Sequence, residues 1–373
     1  MTARSLSSLA LAGLVASTLG ACSLIMPDPM EQAQEAFEAQ NYHAARDDAL
    51  RALQQDESDQ EALELLARAQ LAMGLGADVL VTLERLADTD AEAADASLIE
   101  AEALLQMEER ELALEAIEGH DSAESWRLRA LAALQTGDVE TAEAAFTRGR
   151  EAEGDKRKLF TAEASHYLDR GTADAARFAV GEAQRLSPTR IETLFVSARL
   201  AQLDEEPNLA ARAYLAILEI APNDRPALLG AIAELDKLGR IDLIRELIQR
   251  GRTTYPQDID FIFLTASLYG HDGNWQAARD LLQEHEGVIA SHEDARALYG
   301  QALLELGQFE LAHAQLAPLN RRYPGNPAYA RILTRILIEL GENGEAQRVI
   351  RPIAIGPDAQ DIDRELLQLA LDA

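Results

Sequence analysis

The chain has 373 residues and a formal net charge of −30 at pH 7, with 34 lysines and arginines against 64 aspartates and glutamates. So large an acidic excess argues against binding to nucleic acid and against adsorption to an anionic lipid surface. Cys22 is the only cysteine, so an internal disulfide is excluded.

The first 21 residues have the organisation of a secretion leader. Arg4 supplies a short positive region, and residues 6–15 form a mostly apolar stretch. This stretch is shorter and richer in serine than the ~20 apolar residues of a membrane-spanning helix. We therefore expect residues 1–21 to be removed by cleavage between Ala21 and Cys22.

The residues at this cleavage position, Leu-Gly-Ala-Cys, resemble the lipobox of bacterial lipoproteins, in which the cysteine is acylated and becomes the first residue of the mature chain. The resemblance implies two or three fatty acyl chains such as palmitate on Cys22. Two chains anchor a protein stably to a membrane, whereas one holds it only marginally. Ser23 stands where an aspartate would imply retention in the inner membrane, so the resemblance favours the outer membrane, with the protein facing the periplasm.

Residues 22–27 form a lipidated tether before the first predicted helix. Asp28, Pro29 and Glu31 have the pattern of an N-cap, a first-turn proline and the acid of a capping box. At about 3.3–3.6 Å per residue, the linker after the cysteine reaches about 17 Å. The first helices should therefore lie close to the membrane.

From residue 26 onward the sequence repeats every 34 residues. The units start at Met26, Gln60, Ala94, Ala123, Arg157, Ile191, Arg225, Ile259, Glu293, Pro327 and Asp361, and the third unit is five residues short, in its second predicted helix. A fixed period in this range is typical of a stacked array of small units and not of a globular catalytic domain.

Small residues recur at two positions of the unit. Position 8 holds Ala33, Ala67, Ala101, Ala130, Ala164, Ala198, Ile232, Ala266, Gly300 and Thr334. Position 20 holds Ala45, Val79, Ala113, Ala142, Ala176, Ala210, Ile244, Ala278, Ala312 and Ala346. The turn between them carries Gly74, Gly137, Gly171, Gly239, Gly273, Gly307 and Gly341. Small side chains allow two antiparallel helices to approach closely, and glycine ends the first of them.

This pattern resembles the tetratricopeptide repeat (TPR), a 34-residue helix-turn-helix with small residues at positions 8 and 20. The resemblance implies an all-α fold: a right-handed α-solenoid of about ten TPR units, in residues 28–122 and 123–360, followed by a capping helix in residues 361–373. Pro318 and Pro352 fall inside second helices, where a proline bends the helix.

Charge is unevenly distributed along the repeats. Residues 22–125 contain 26 acidic and five basic residues, so the N-terminal units 28–122 are strongly acidic. Such a surface either recruits a basic partner or simply keeps exposed helix faces solvated.

A candidate binding surface follows from the resemblance, because position 5 of a TPR first helix faces the concave groove. In three successive units this position holds Phe195, Leu229 and Phe263, with Arg199 at position 9 of the first of these units. An apolar stripe edged by charge is typical of a protein or peptide site. The alternative is that these side chains are partly buried against the adjacent second helix.

A second candidate lies in the last full unit, where Arg331 and Arg335 occupy positions 5 and 9. Two guanidinium groups at this spacing are suited to bind a carboxylate. The asparagines of the family's carboxylate clamp are absent, however.

Catalytic and metal-binding motifs are not found in the sequence. It has no Gly-x-Ser-x-Gly elbow, no His-Glu-x-x-His, no phosphate loop and no paired-cysteine site. We therefore expect no enzymatic activity, no cofactor, no metal and no small-molecule substrate.

Three classes of function remain. The first is a lipid-anchored periplasmic scaffold that mediates protein-protein interactions in an envelope assembly or secretion machine, such as pilus assembly, outer-membrane assembly or polysaccharide export. The second is an adaptor that docks and regulates peptidoglycan enzymes. The third, an enzyme with an unrecognised site, is disfavoured because a repeat array offers no closed pocket of the usual kind.

Overall fold

The computed structural model describes residues 28–89 and 95–372, so the leader, Cys22 and the tether lie outside the described residues. In the described ranges the chain forms helices joined by turns, with one isolated bridge between Ser122 and Glu153. None of these helices is long and apolar enough to cross a bilayer. The chain divides into two compact units, residues 1–107 and 108–373.

The first unit contains five described helices. They are α1 (Pro29–Glu38), α2 (Tyr42–Leu53), α3 (Gln60–Ala72), α4 (Gly76–Ala87) and α5 (Ala96–Gln106). Asp28 caps α1 by accepting a hydrogen bond from the Met30 N–H at 3.0 Å, and Pro29 is the first residue of the helix. The predicted start of the first helix is therefore confirmed.

The second unit contains the remaining helices. They are α6 (Arg110–Ala116), α7 (Ala123–Gln135), α8 (Val139–Glu151), α9 (Arg157–Asp169), α10 (Ala173–Leu186), α11 (Ile191–Leu203), α12 (Pro207–Ile220), α13 (Arg225–Lys237), α14 (Ile241–Thr254), α15 (Ile259–His271), α16 (Trp275–Glu284), α17 (Glu286–Ile289), α18 (Glu293–Glu305), α19 (Phe309–Arg322), α20 (Pro327–Glu339), α21 (Asn343–Ala354) and α22 (Asp361–Asp372). Neighbouring helices pair in sequence order, as expected for stacked hairpins.

The helices follow the predicted repeat. The helices α3, α7, α9, α11, α13, α15, α18, α20 and α22 all begin at a predicted unit start, whereas α1 and α5 begin at Pro29 and Ala96 instead of Met26 and Ala94. The all-α solenoid prediction is thus confirmed. The shortened third unit has a second helix, α6, of only seven residues. The division between acidic and C-terminal units at residue 122 stays a prediction.

The small residues of the repeat are buried where hairpin helices meet. Every residue at positions 8 and 20 is buried, and among the alanine, valine, isoleucine and threonine residues there all but Ala113, Ile232 and Ile244 have no exposed surface. Position 24 fills the space next to them, with Phe146, Leu282 and Leu316 fully buried. Close helix contact at small residues is therefore the main packing device of the fold.

The turn glycines all adopt the left-handed conformation that the predicted helix stop requires. Their φ values run from 65° to 77° at Gly74, Gly137, Gly171, Gly239, Gly273, Gly307 and Gly341. The same turn position is held by Gln40, Glu108 and Glu205, also with positive φ. The backbone of the hairpin turn is thus conserved in geometry even where glycine is missing.

Exposed ion pairs join successive hairpins in register. The Arg177 guanidinium lies 2.7 Å from Asp204, and Arg245 lies 2.8 Å from Asp272, both pairs being 27 residues apart in sequence. Pro318 and Pro352 lie inside α19 and α21, as predicted.

Candidate functional site

The hairpin of α13 and α14 differs from the other described hairpins in the residues at its helix contact. It is the one whose positions 8 and 20 both hold a branched residue, Ile232 and Ile244, and both side chains are buried. Because interaxial distance depends on the side chains at the contact, two isoleucines hold the helices further apart than two alanines. The helices α13 and α14 pack less closely than α11 and α12 do, as do α15 and α16 of the next hairpin.

A cavity lies beside this loosened hairpin. Its volume is about 590 Å³, and it opens between α13, α14, α15 and the start of α18. Its apolar lining comprises Leu229, Ile232, Ala233, Ile241, Ile244, Ile248, Phe263, Leu264 and Leu268. A space of this size and composition falls in the range of ligand and peptide sites.

Three aspartates line the same cavity, which has no lysine or arginine in its lining. Asp236 lies in the last turn of α13, and Asp260 and Asp294 each stand at position 2 of the next two first helices. Asp260 is paired with Arg225 at 2.5 Å, so its charge is partly balanced. The other two aspartates are exposed and leave the cavity with an acidic rim.

The Asp294 carboxylate is held in place by a phenol. The Tyr329 hydroxyl donates a hydrogen bond to it at 3.0 Å. Burial of the ring, together with this hydrogen bond, raises the pKa of Tyr329 to about 12. The phenol therefore stays protonated at neutral pH and orients the carboxylate without adding charge.

His292 closes the end of the cavity next to Phe263. Its Nδ1 accepts a hydrogen bond from the Ala295 N–H at 3.1 Å, as the N-cap of α18, and its Nε2 lies 3.7 Å from Asp260. The imidazole and the Phe263 ring are 5.4 Å apart between centroids. These contacts fix both rings, so the wall of the cavity is preformed.

The described residues contain no cluster of histidine, cysteine, aspartate and glutamate suited to hold a metal ion. The cavity therefore offers an apolar surface and carboxylates for binding.

Comparison with known proteins supports the same architecture. Residues 271–336 match the family model described as tetratricopeptide repeat. The described helices form an all-α solenoid of stacked hairpins, and the family match covers residues 271–336 of it. No curated protein matches the sequence.

Solved structures resemble this helical array at low identity. A tetratricopeptide repeat protein from Parabacteroides merdae shows 15% identity and a TM-score of 0.50, with 67% of this chain and 98% of that chain covered. The Cut9–Hcn1 hetero-tetramer of the APC/C shows 12% identity and a TM-score of 0.49, with 92% and 98% covered. Yeast Tom70 shows 12% identity and a TM-score of 0.39, with 93% and 88% covered.

The structure brings two of the three predicted stripe residues of the TPR array to the cavity. Leu229 and Phe263 line it, whereas Phe195 is not part of the lining. Phe195 instead packs edge-on against the Tyr214 ring, with centroids 6.1 Å apart, on the second helix of its own hairpin. All three side chains are half-buried and contact the apolar core.

The predicted arginines at position 9 of the TPR unit each have an internal partner. Arg199 donates to Ser165 at 2.9 Å and to Asp169 at 2.5 Å. Arg335 lies 3.0 Å from Glu305. In both cases the carboxylate stands at position 13 of the preceding unit, so these pairs fasten one hairpin to the next.

Arg331, at position 5, binds the C-terminal helix. Its guanidinium donates to both carboxylate oxygens of Asp363, at 2.6 and 2.9 Å, and to Gln360 at 3.0 Å. Binding of a ligand carboxylate by Arg331 and Arg335 stays a prediction, and it would require both internal pairs to open.

The repeat pattern does not predict the cavity. Its signal in the sequence is the pair of isoleucines at positions 8 and 20, since every other unit holds alanine in at least one of these positions. Asp236, Asp260 and Asp294 are not predicted either, because single aspartates in an acidic chain carry no pattern of their own. Only the packing of three first helices brings them to one rim.

Proposed function

We propose that the protein is a lipid-anchored periplasmic TPR scaffold that holds protein partners together in an envelope assembly or secretion machine. The observation that carries the proposal is the preformed apolar cavity with an acidic rim, set in an array of stacked hairpins. Exposed apolar surface bordered by polar groups is typical of surfaces that bind proteins or peptides.

The anchored location rests on the sequence of the leader. The Leu-Gly-Ala-Cys motif and the single cysteine favour acylation at Cys22. The described helices offer no span that crosses a bilayer. An acyl anchor would hold the protein at the membrane, which suits a protein that gathers partners there.

Mass spectrometry of the mature protein from a bacterial host tests the anchor. We expect an N-terminal Cys22 that carries two or three acyl chains, with residues 1–21 removed, and partition into detergent. The Cys22→Ala variant should lose both the acyl mass and the partition, while the Ser23→Ala variant, which keeps the cysteine, should retain them. An intact leader or an unmodified Cys22 thiol in the wild-type protein would contradict the proposal.

Photo-crosslinking in intact cells tests the scaffold role. A photoreactive residue placed at Ser267, in the cavity, and another at Glu219, on the exposed face of α12, sample two separate surfaces. Pilins, barrel-assembly or export subunits among the products would support an assembly or secretion role. Cell-wall hydrolases or synthases would instead favour the peptidoglycan adaptor.

A further inference from the structure

We infer that the cavity between α13, α14 and α15 binds a peptide segment in which an aromatic or aliphatic side chain stands next to lysine or arginine. This inference rests on the proposed protein-binding function and specifies the chemistry of the partner. Three features of the cavity lead to it. They are the isoleucine pair between α13 and α14, the apolar side chains that form its floor, and the aspartates that form its acidic rim.

The pair of branched residues is particular to this hairpin among the described ones. In the described hairpins with alanine at both positions, these small side chains are buried, as at Ala198 and Ala210, which have no exposed surface. Ile232 and Ile244 stand between α13 and α14 instead, and both also line the cavity. In the same stretch α13 and α15 make little backbone contact, unlike α15 and α18. The gap left between these first helices is the cavity.

The apolar floor of the cavity favours an aromatic or aliphatic side chain of the bound segment. Five side chains of leucine and isoleucine from α13 and α14 face the same space as Phe263 and Leu264 of α15. Burying an aromatic or aliphatic side chain there removes apolar surface from water on both sides, at about 25 cal/mol per Å². A purely ionic ligand would leave this surface exposed.

The acidic rim favours a lysine or arginine next to the apolar side chain of the bound segment. Asp236 and Asp294 are exposed, and neither has a lysine, arginine or histidine within 4.0 Å among the residues that the structure describes. Carboxylates beside an apolar floor attract an ammonium or guanidinium group on the same segment and repel a carboxylate. The partner is therefore cationic and apolar within a few residues.

Fluorescence anisotropy with three labelled peptides tests this on the purified full chain. The peptides share Gly-Ser flanks and differ in their centres, which are Lys-Phe-Lys, Glu-Phe-Glu and Lys-Ser-Lys. We expect the Lys-Phe-Lys peptide to bind at least about tenfold more tightly than either of the others, because only it satisfies floor and rim together. Its affinity should fall as the ionic strength is raised to about 0.15 M, where the Debye length is about 8 Å.

Two variants locate the binding. Asp236→Asn with Asp294→Asn should weaken binding of the Lys-Phe-Lys peptide by about three- to tenfold, as expected for two partly exposed ion pairs. Ser267→Trp should abolish it by filling the cavity. The matched control, Glu219→Gln with Glu339→Gln, removes the same net charge at exposed sites outside the cavity lining and should leave binding unchanged. Circular dichroism verifies that each variant is folded.

Failure of the Lys-Phe-Lys peptide to bind, or equal losses in the aspartate pair and the control pair, would overturn the inference. The scaffold proposal is judged separately by acylation of Cys22 and by crosslinks from the Glu219 position. Crosslinks there without peptide binding would reject only the cavity chemistry, whereas peptide binding without acylation would reject only the anchored scaffold.

Discussion

At the scale of single residues, the close approach of the two helices within a hairpin can be tested at Gly300. This glycine stands at position 8 of its unit, where most units have alanine. A Cβ added there would lie 1.7 Å from the Leu316 Cδ2 and 3.2 Å from its Cγ. Because Leu316 is fully buried, it has little room to move.

Gly300→Ala should therefore destabilise the protein, although alanine is the better helix former. Overpacking of a buried contact costs about 1–3 kcal/mol, and because the added Cβ would lie only 1.7 Å from Leu316 Cδ2, we expect a cost in the upper part of this range, above the ~1 kcal/mol that alanine gains in a helix. Gly181→Ala is the matched control, since Gly181 lies inside α10 with no atom within 4 Å of the added Cβ. Thermal unfolding should show opposite shifts for the two variants. An equal rise in both midpoints would contradict the packing described for Gly300.

At the scale of elements, the last helix depends on one buried carboxylate. Asp363 has no exposed surface, accepts two hydrogen bonds from Arg331 and accepts a third from the Gln360 N–H at 2.9 Å. This last contact caps the N-terminus of α22. The hydrogen bond from Arg331 lowers the pKa of Asp363 below its ordinary value.

Asp363→Asn should lower the opening free energy of α22 by about 1.5–3 kcal/mol, the usual contribution of a hydrogen bond to a charged group. Since the folded pKa is depressed, the stabilisation is present above the unfolded value near 3.9 and is lost as pH falls through the folded pKa. Hydrogen exchange of the α22 amides at pH 7 and in acid measures both effects. The variant should lack this part of the acid dependence.

Asp361→Asn serves as the control for this prediction, because Asp361 lies on the same helix and pairs with Arg364 at 2.9 Å while 95% of its side chain is exposed. An exposed pair contributes about 0–1 kcal/mol. Equal effects of the two substitutions on α22 would show that burial of Asp363 is not what stabilises the helix.

The sequence was sufficient to predict the helices because their limits are set by local chemistry. First helices begin after a residue at position 34, and Asp59, Asp224 and Asp258 there accept hydrogen bonds from the first turn. The cavity was not predictable in this way. It depends on how far α13 stands from α15, which side-chain volumes at Ile232 and Ile244 set through packing across several helices. Likewise, the internal partners of Arg199 and Arg331 lie about one unit away, where sequence separation does not reveal them.

At the scale of the second compact unit, the hydrophobic core is a series of clusters. One cluster runs from Ala198 to Leu268, and the next runs from Ile262 to Ala370, so the two share only helix α15. The helices α14 and α15 pack loosely compared with α12 and α13. In a repeat array each hairpin is stabilised mainly by its neighbours, so a loose junction limits cooperativity.

Unfolding of residues 108–372 should therefore divide at the junction of α14 and α15. In hydrogen exchange at rising urea concentrations, we expect the amides of α18–α22 and those of α11–α13 to follow separate isotherms, with opening free energies that differ by about 1 kcal/mol or more. Phe261→Leu should widen this difference. The Phe261 ring stacks on Tyr255 at 5.8 Å and fills the space beside Gly251, so it joins the two helices directly.

Phe146→Leu provides the comparison, since Phe146 is equally buried but belongs to the cluster of α7–α9. It should lower protection around α8 and leave the division at α15 unchanged. If all amides from α7 to α22 instead merged into one isotherm, the loosened hairpin would be as strongly coupled as the others, and the cavity beside it would be a rigid feature of the array. If the array does divide, a ligand in this cavity would contact α13, α14 and α15 together. It would then couple the helices on the two sides of the junction and raise the opening free energy of the less stable side.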